Sequence, residues 1–215
     1  MNFEQLGTIK AYNADCMDIM KQYPDKYFDL AIVDPEYGAN DAIGIKNSNK
    51  HTAKRKDYKV FKNVAPDENY FKELERVSKK HIVWGGNFFG LKGGVIVWNK
   101  HGTAFGEGEI AICNTHKSVR IFDYVWNGML QQNMKNKQER IHPTEKPIDL
   151  YKWCLQKYAK AGDKILDTFG GSMSHAIACH DLGFELVIIE KDTDYYHESV
   201  TRLKFHQRQL KLFDL

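Results

Sequence analysis

The sequence predicts an α/β domain built on a mixed, mostly parallel sheet with helices on both faces. Three observations predict it. Strand-like apolar runs alternate with amphipathic, helix-like segments towards both ends of the chain, which is the pattern of a parallel sheet. Three of those runs stop abruptly at an acid: Asp34, Asp167 and Glu190. Buried strands read this way where their carboxyl ends open into loops. Between the two alternating regions lie short strand-like pieces joined by Gly-rich and polar links, which predicts an antiparallel pair in the sheet.

Thr8 to Tyr12 reads as a short strand and Asp15 to about Gln22 as a helix, with Met17 and Met20 on one face. Phe28 to Val33 is nearly continuous apolar sequence and predicts a strand buried on both sides. Gly38 to Asp67 has no clear period and reads as a long loop, a length usually functional in a compact domain. A helix is expected from about Glu68 to Lys80, with Phe71, Leu74 and Val77 in register. Strands follow at His81–Trp84 and Val95–Trp98, separated by Gly85-Gly86-Asn87-Phe88-Phe89-Gly90. Glu109–Asn114 and Val119–Trp126 read as a further strand pair, and residues 127–140 are polar. Pro147 opens a helix that lines up Ile148, Tyr151, Leu155 and Tyr158 and ends at Gly162. Lys164–Asp167 is another buried strand, and a helix from about Ser174 to Leu182 stops at Gly183. A strand from Phe184 to Ile189 ends at Glu190, and a last helix runs from Asp194 to about Gln209.

A chain of 215 residues suits one domain over residues 1–215, with residues 38–67 as a basic loop insertion. Apolar content of 42% and charged content of 27% are those of a soluble globular protein. No apolar run approaches the ~20 residues that span a bilayer, and Met1-Asn2-Phe3-Glu4-Gln5 lacks signal-peptide order. A cytoplasmic protein without a membrane partner is expected. Cys16, Cys113, Cys154 and Cys179 form no Cys-x-x-Cys pair, so they read as reduced, mostly buried residues. The nine histidines show no metal spacing, and no metal site is expected. The net charge is only +3, but Lys46, Lys50, Lys54, Arg55, Lys56, Lys59 and Lys62 cluster against a single acid, Asp57. Such a run is either a solvated loop or a grip on nucleic-acid phosphates, centred here on Lys54, Arg55 and Lys56.

In an open α/β sheet, ligands bind beyond the carboxyl ends of the strands. Asp167-Thr168-Phe169-Gly170-Gly171-Ser172 forms a Gly-rich turn after a strand, and Glu190 ends the next strand. A carboxylate there suits a ribose diol. The turn is neither Gly-x-Gly-x-x-Gly nor a Gly-Lys-Ser/Thr phosphate loop. An acid before it is awkward for a pyrophosphate and acceptable for a cationic adenosine cofactor such as a sulfonium. Asp34-Pro35-Glu36-Tyr37 is the sharper signal. Pro35 fixes φ, so its carbonyl and the Asp34 carboxylate can offer two acceptors side by side, followed by a stacking ring at Tyr37. That set suits an amino group on a planar heterocycle.

These segments together resemble the DNA amino-methyltransferases in their permuted, beta-type order, including small phage, prophage and restriction–modification members. Asp34-Pro35-Glu36-Tyr37 resembles their catalytic motif. His142-Pro143-Thr144-Glu145-Lys146-Pro147 resembles the motif opening the helix packed against the cofactor. Asp167-Thr168-Phe169-Gly170-Gly171-Ser172 resembles their cofactor loop, Glu190 the ribose-binding acid, and Asn13-Ala14-Asp15-Cys16 the segment near the adenine. Trp84-Gly85-Gly86-Asn87-Phe88-Phe89 is also similar to small members.

The resemblance implies a Rossmann-like methyltransferase fold, S-adenosylmethionine as cofactor and double-stranded DNA as partner. It implies a methyl transfer to adenine N6, or alternatively cytosine N4, with Asp34, Pro35 and Tyr37 acting on a flipped base. Asp15, His142, Pro143, Thr144, Lys146, Asp167, Phe169, Gly170, Gly171, Ser172 and Glu190 are the expected cofactor residues. Thr144 and Lys146 would meet the cofactor's carboxylate, although Lys146 could equally cap a helix or pair with Glu145. Relatives of this type often form homodimers.

Two residues depart from the pattern: Glu36 stands for a proline and Met173 for a glycine. They leave open a DNA-binding homologue without activity. An acceptor in RNA or a protein amide, and a nucleotide-binding oxidoreductase, are the other rivals.

Overall fold

The computed structural model describes residues 3–38, 64–101, 106–126 and 130–209. Its frame is one sheet of nine strands, β1 (Phe3–Leu6), β2 (Ile9–Asn13), β3 (Phe28–Val33), β4 (Ser78–Trp84), β5 (Gly94–Asn99), β6 (Gly108–Cys113), β7 (Val119–Asp123), β8 (Lys164–Asp167) and β9 (Glu185–Glu190), in the order β1-β2-β9-β8-β3-β4-β6-β5-β7. The run β2-β9-β8-β3-β4 is parallel throughout. Among the described residues five α-helices pack on it: α1 (Cys16–Met20), α2 (Glu68–Val77), α3 (Ile148–Tyr158), α4 (Ser174–Leu182) and α5 (Thr193–Arg208).

The apolar runs of the central strands feed two cores at once. Leu30 and Ile32 of β3, Ile165 of β8 and Ile188 of β9 face a cluster that includes Leu150, Tyr151 and Leu155 of α3, Ala176 of α4 and Val200 of α5. Ala31, Val33, Leu166 and Ile189 face the opposite cluster, with Ile19 and Met20 of α1 and Tyr70, Leu74 and Val77 of α2. Period-two alternation with both faces covered explains why these strands read as unbroken apolar sequence. The expected fold class and the helices on both faces are what the structure shows.

The helix opened by Pro147 ends at Tyr158 rather than Gly162, and the strand from Val119 ends at Asp123 rather than Trp126. Three further differences bear on the sheet. The second helix ends at Val77, and Ser78–Lys80 already belong to β4. Their polar character suited a helix tail, but β3 supplies a parallel ladder starting at Phe28↔Ser78, and that pairing decides. The strands at 108–113 and 119–123 do not pair with each other. β6 lies between β4 and β5, antiparallel to both, and β7 runs parallel to β5. The apolar end of β6 (Ala111, Ile112, Cys113) is buried between two neighbours, whereas most of β7 is exposed at the sheet edge. Finally, β1 was not anticipated; it pairs antiparallel to β2.

Chain direction sets the site. From β3 the chain continues to β4 on one side, and from its neighbour β8 to β9 on the other. Adjacent strands whose connections diverge open a crevice at their carboxyl ends. Asp34 and Asp167 stand at that crevice.

Met173 caps α4 in the left-handed region (φ 55°, ψ 28°) and its side chain is fully buried in the larger core cluster. It packs inward, under the turn. Left-handed backbone costs a non-Gly residue ~1–2 kcal/mol, while removing a buried Met side chain costs ~2–5 kcal/mol. Packing therefore wins, and Met173→Gly is expected to destabilise the protein by about 1–3 kcal/mol. A shift of the urea midpoint checks this; a stabilised variant would show that strain dominates.

Candidate active site

Asp34 follows the last residue of β3. One carboxylate oxygen accepts from Tyr37 Oη at 2.9 Å, and the other is held by Lys146 Nζ. Lys146 Nζ also lies 3.0 Å from Glu109 Oε2, and Glu109 Oε1 is held by Lys100 Nζ. Burial pushes the Asp34 carboxyl up; the Lys146 ammonium opposes this and the Glu109 charge adds to it. Burial would raise Glu109 as well, but two cations, Lys146 and Lys100, bring it down to about 2. The two carboxylates share one ammonium, and Glu109 takes the lower value because it alone has a second. Burial disfavours the Lys146 charge, yet Asp34 and Glu109 raise its pKa well above the ordinary lysine range.

Pro35 is buried, and Tyr37 stacks on Phe88 with centroids 5.0 Å apart. Phe88 is 65% exposed, unusual for a large apolar ring. It sits in a short 3₁₀ turn, Gly86–Phe89, bounded by Gly85 and Gly90, both left-handed. A Cβ at Gly85 would fall 2.1 Å from the Tyr37 ring, so only glycine leaves room for that side chain. A Cβ at Gly86 would fall 2.8 Å from Ile112, so close packing accounts for both glycines of the pair.

Glu36 accepts from Val64 N at 2.7 Å. It thereby joins the turn after β3 to the segment that leads into α2. Burial pushes its carboxyl up, and the Val64 bond offsets part of that. Lys54, Arg55 and Lys56 lie outside the described residues.

The second half of the site forms around β8 and β9. Asp167 is 1% exposed; its carboxylate accepts from Phe169 N at 3.0 Å and pairs with His175 Nδ1 at 3.0 Å. Thr168 bonds Tyr70 Oη of α2 at 2.6 Å, and the Tyr70 ring meets Phe169 edge-on at 5.4 Å. Gly170 is close-packed: a Cβ there would sit 3.1 Å from Ile188 and 3.2 Å from Ile189 O. Glu190 accepts from Gly171 N and Asp192 N, both at 2.7 Å. These bonds orient a carboxylate whose pKa burial raises, and each oxygen keeps a further lone pair. Asp15 caps α1 through Met17 N at 2.9 Å and pairs with Lys191, next to Glu190, at 2.8 Å.

The segment from His142 to Pro147 spans both halves. The partly buried His142 ring is 3.9 Å from where a Gly171 Cβ would be, and it meets Tyr195 edge-on. Burial, then Lys146, lower its pKa to about 4, so it is neutral at pH 7. Thr144 is exposed and bonds His142 Nδ1 at 3.0 Å; Pro143 lies between them. One reading of this segment needs correction. Lys146 does not pair with Glu145, which is buried and held by Arg202 at 2.9 Å. Lys146 pairs with Asp34 and Glu109 instead.

Arg202 also donates to Ser172 O at 2.8 Å, tying α5 to that turn. Arg202, His175, Tyr70, Glu109 and Lys100 were not singled out from sequence. None stands in a motif; only Glu109, an acid leading into the apolar run Ile110-Ala111-Ile112, carried a hint. Among the described residues no cluster could hold a metal ion, and no helix is long and apolar enough to cross a membrane. Cys113, Cys154 and Cys179 are buried and Cys16 is partly so, all unbridged.

Comparison with known proteins adds an independent line. The DNA methylase family, covering N6 and N4 enzymes, matches residues 24–201. The type II methyltransferase M2.MboI of Moraxella bovis is 23% identical over 255 residues, spanning 92% of this chain and 91% of that protein. Among solved structures, the M1.HpyAVI–SAM complex superposes with a TM-score of 0.58 at 18% identity, over 90% of this chain and 99% of that one. The cytosine-N4-specific PvuII DNA methyltransferase gives 0.61 at 10% identity, over 98% and 92%. A putative DNA modification methylase from Thermus thermophilus, complexed with S-adenosyl-L-methionine, gives 0.53 at 12% identity, over 93% and 96%.

Proposed function

This chain belongs to the DNA methylase family that acts at adenine N6 or cytosine N4, and on that premise we propose that it methylates adenine N6 in double-stranded DNA, with S-adenosylmethionine as methyl donor. One observation carries the reading: an ionisable acceptor, Asp34, and a stacking ring, Tyr37, stand at the end of β3 beside the acidic, Gly-rich turn after β8. The residues after β8 and β9 fit an adenosine-type cation. Glu190 is pre-oriented with lone pairs to spare for a diol, Gly170 and Gly171 permit close approach, and the buried Asp167 suits a positive ligand rather than a phosphate.

When bound, the cofactor supplies an electrophilic methyl group on a sulfonium. An exocyclic amino group is a weak nucleophile because its lone pair is delocalised into the ring. The chain's task is therefore placement and electrostatic support. Asp34 accepts one amino hydrogen and the Pro35 carbonyl the other, which localises the lone pair and stabilises the charge that develops on nitrogen; after transfer, with the carbon–sulfur bond broken, that nitrogen loses a proton to solvent. The Lys146 ammonium favours the charged form of Asp34 against burial. Tyr37, with Phe88 beside it, stacks on the base after it leaves the duplex. Stacking serves either base, and the choice of adenine follows the resemblance of the motifs. Lys54, Arg55 and Lys56 contact DNA phosphates. Asp15, His142, Pro143, Thr144, Phe169 and Ser172 complete the cofactor's surroundings.

The test is to incubate the protein with methyl-labelled cofactor and unmethylated duplex DNA, then digest and identify the labelled nucleoside. N6-methyladenine is the expected product. N4-methylcytosine would move the target to cytosine. No labelled nucleoside, from folded protein that binds the cofactor, would leave a homologue without activity.

A further inference from the structure

Glu109 and Lys100 belong to no motif, yet they reach the acceptor turn through one intermediary. Starting from Asp34, the charges alternate: Asp34, Lys146, Glu109, Lys100. All four side chains are largely withdrawn from water, Lys146 at 3% exposure. Two tryptophans wall the line, with Lys146 Nζ 5.6 Å from the Trp84 ring and Lys100 Nζ 4.5 Å from the Trp98 ring. Aromatic faces favour cations at those two places.

We propose that Glu109, anchored by Lys100, is a positioning residue for methyl transfer: it shares the Lys146 ammonium with Asp34 and so leaves Asp34 able to accept the target amino hydrogen. The proposal rests on reading Asp34 as the acceptor. In the structure both Asp34 oxygens are already engaged, one by Tyr37 and one by Lys146. A carboxylate has about four acceptor directions, and a cation committed wholly to Asp34 would draw its electron density away from an incoming N–H. Glu109 Oε2, 3.0 Å from Lys146 Nζ, divides that cation between two anions. Lys100, bound to the other Glu109 oxygen, stops Glu109 from taking it entirely. Among the described residues, Tyr37 from the acceptor turn, Lys146 from the segment before α3, Tyr151 from α3 and Glu109 from β6 are the titratable groups that act on Asp34.

The two ends of this line predict opposite effects, read from the acid limb of kcat/KM for duplex DNA. Asp34 must be ionised to accept, so activity falls as pH drops through its pKa. In Glu109→Gln the repelling charge is gone and Lys146 turns wholly to Asp34. The limb is expected to move to lower pH and kcat to fall about tenfold, the size of one weakened charged hydrogen bond. In Lys100→Met, Glu109 draws Lys146 away, and the limb is expected to move to higher pH. The KM for S-adenosylmethionine should hold in both, and rates are normalised to folded protein by thermal unfolding. An active wild type whose limb stays put in both variants, or moves the same way in both, overturns the proposal alone. A wild type with no methylation of DNA overturns the acceptor reading, and the proposal with it.

Discussion

Asp34→Ala is expected to lower methyl transfer to DNA by about 10³-fold or more while leaving the affinity for S-adenosylmethionine unchanged. The separation follows from the geometry. Asp34 touches Tyr37 and Lys146, and none of its hydrogen bonds reaches the turn after β8. Its loss removes an acceptor that matters most as charge develops on the attacking nitrogen. The fold should survive, because Lys146 keeps Glu109 as its counter-ion and the alanine relieves a desolvated carboxylate. Asp34→Asn sharpens the test: the shape is retained, but one acceptor oxygen becomes a donor, and the rate should fall nearly as far. Equilibrium binding of the cofactor, measured beside single-turnover methylation, checks both halves. Retained turnover in Asp34→Ala would end the assignment of this carboxylate as the acceptor.

The second large effect is on stability. Lys146→Met removes a buried cation between two partly buried carboxylates and is expected to cost about 3 kcal/mol, a fall of about 10 °C in Tm for a chain of this size. The deficit should depend on pH. Burial and Glu109 already hold the Asp34 pKa above its unfolded value, and without Lys146 it rises further. A carboxyl raised in the folded state lowers stability as pH climbs from the unfolded pKa to the folded one, and the loss is complete above that. The gap in Tm between variant and wild type should therefore be widest near pH 8 and narrow towards pH 5. A gap independent of pH would mean that lost packing, not unpaired charge, is the cause. Methylation should also fall, because losing the Lys146 cation favours the protonated form of Asp34.

Much of this was legible in the sequence, for identifiable reasons. Phe28–Val33 and Lys164–Asp167 matched their strands residue for residue because burial on both faces makes their middles continuous apolar sequence, Leu30–Val33 and Ile165-Leu166. The turns after them carry Pro and Gly, whose backbone restrictions are local and can be read one residue at a time. What escaped was non-local. The order β4-β6-β5-β7 depends on which edge each strand finds, and nothing in 108–123 encodes that within a short window. The partner of Lys146 escaped for the same reason. Glu145 adjoins it in sequence, but Trp126 Nε1 and Arg202 fix Glu145 elsewhere, and the lysine reaches Asp34 and Glu109 on other strands. Glu36 reads as a flaw in the motif until its bond to Val64 is seen.

That bond has a bearing on how the acceptor turn is held. It joins residue 36 to residue 64 across the chain, so one carboxylate links the direction in which the chain leaves β3 to the approach to α2. A strand end and a helix start, far apart in sequence, are thereby fixed to each other beside Asp34, and Glu36 is the joint between them.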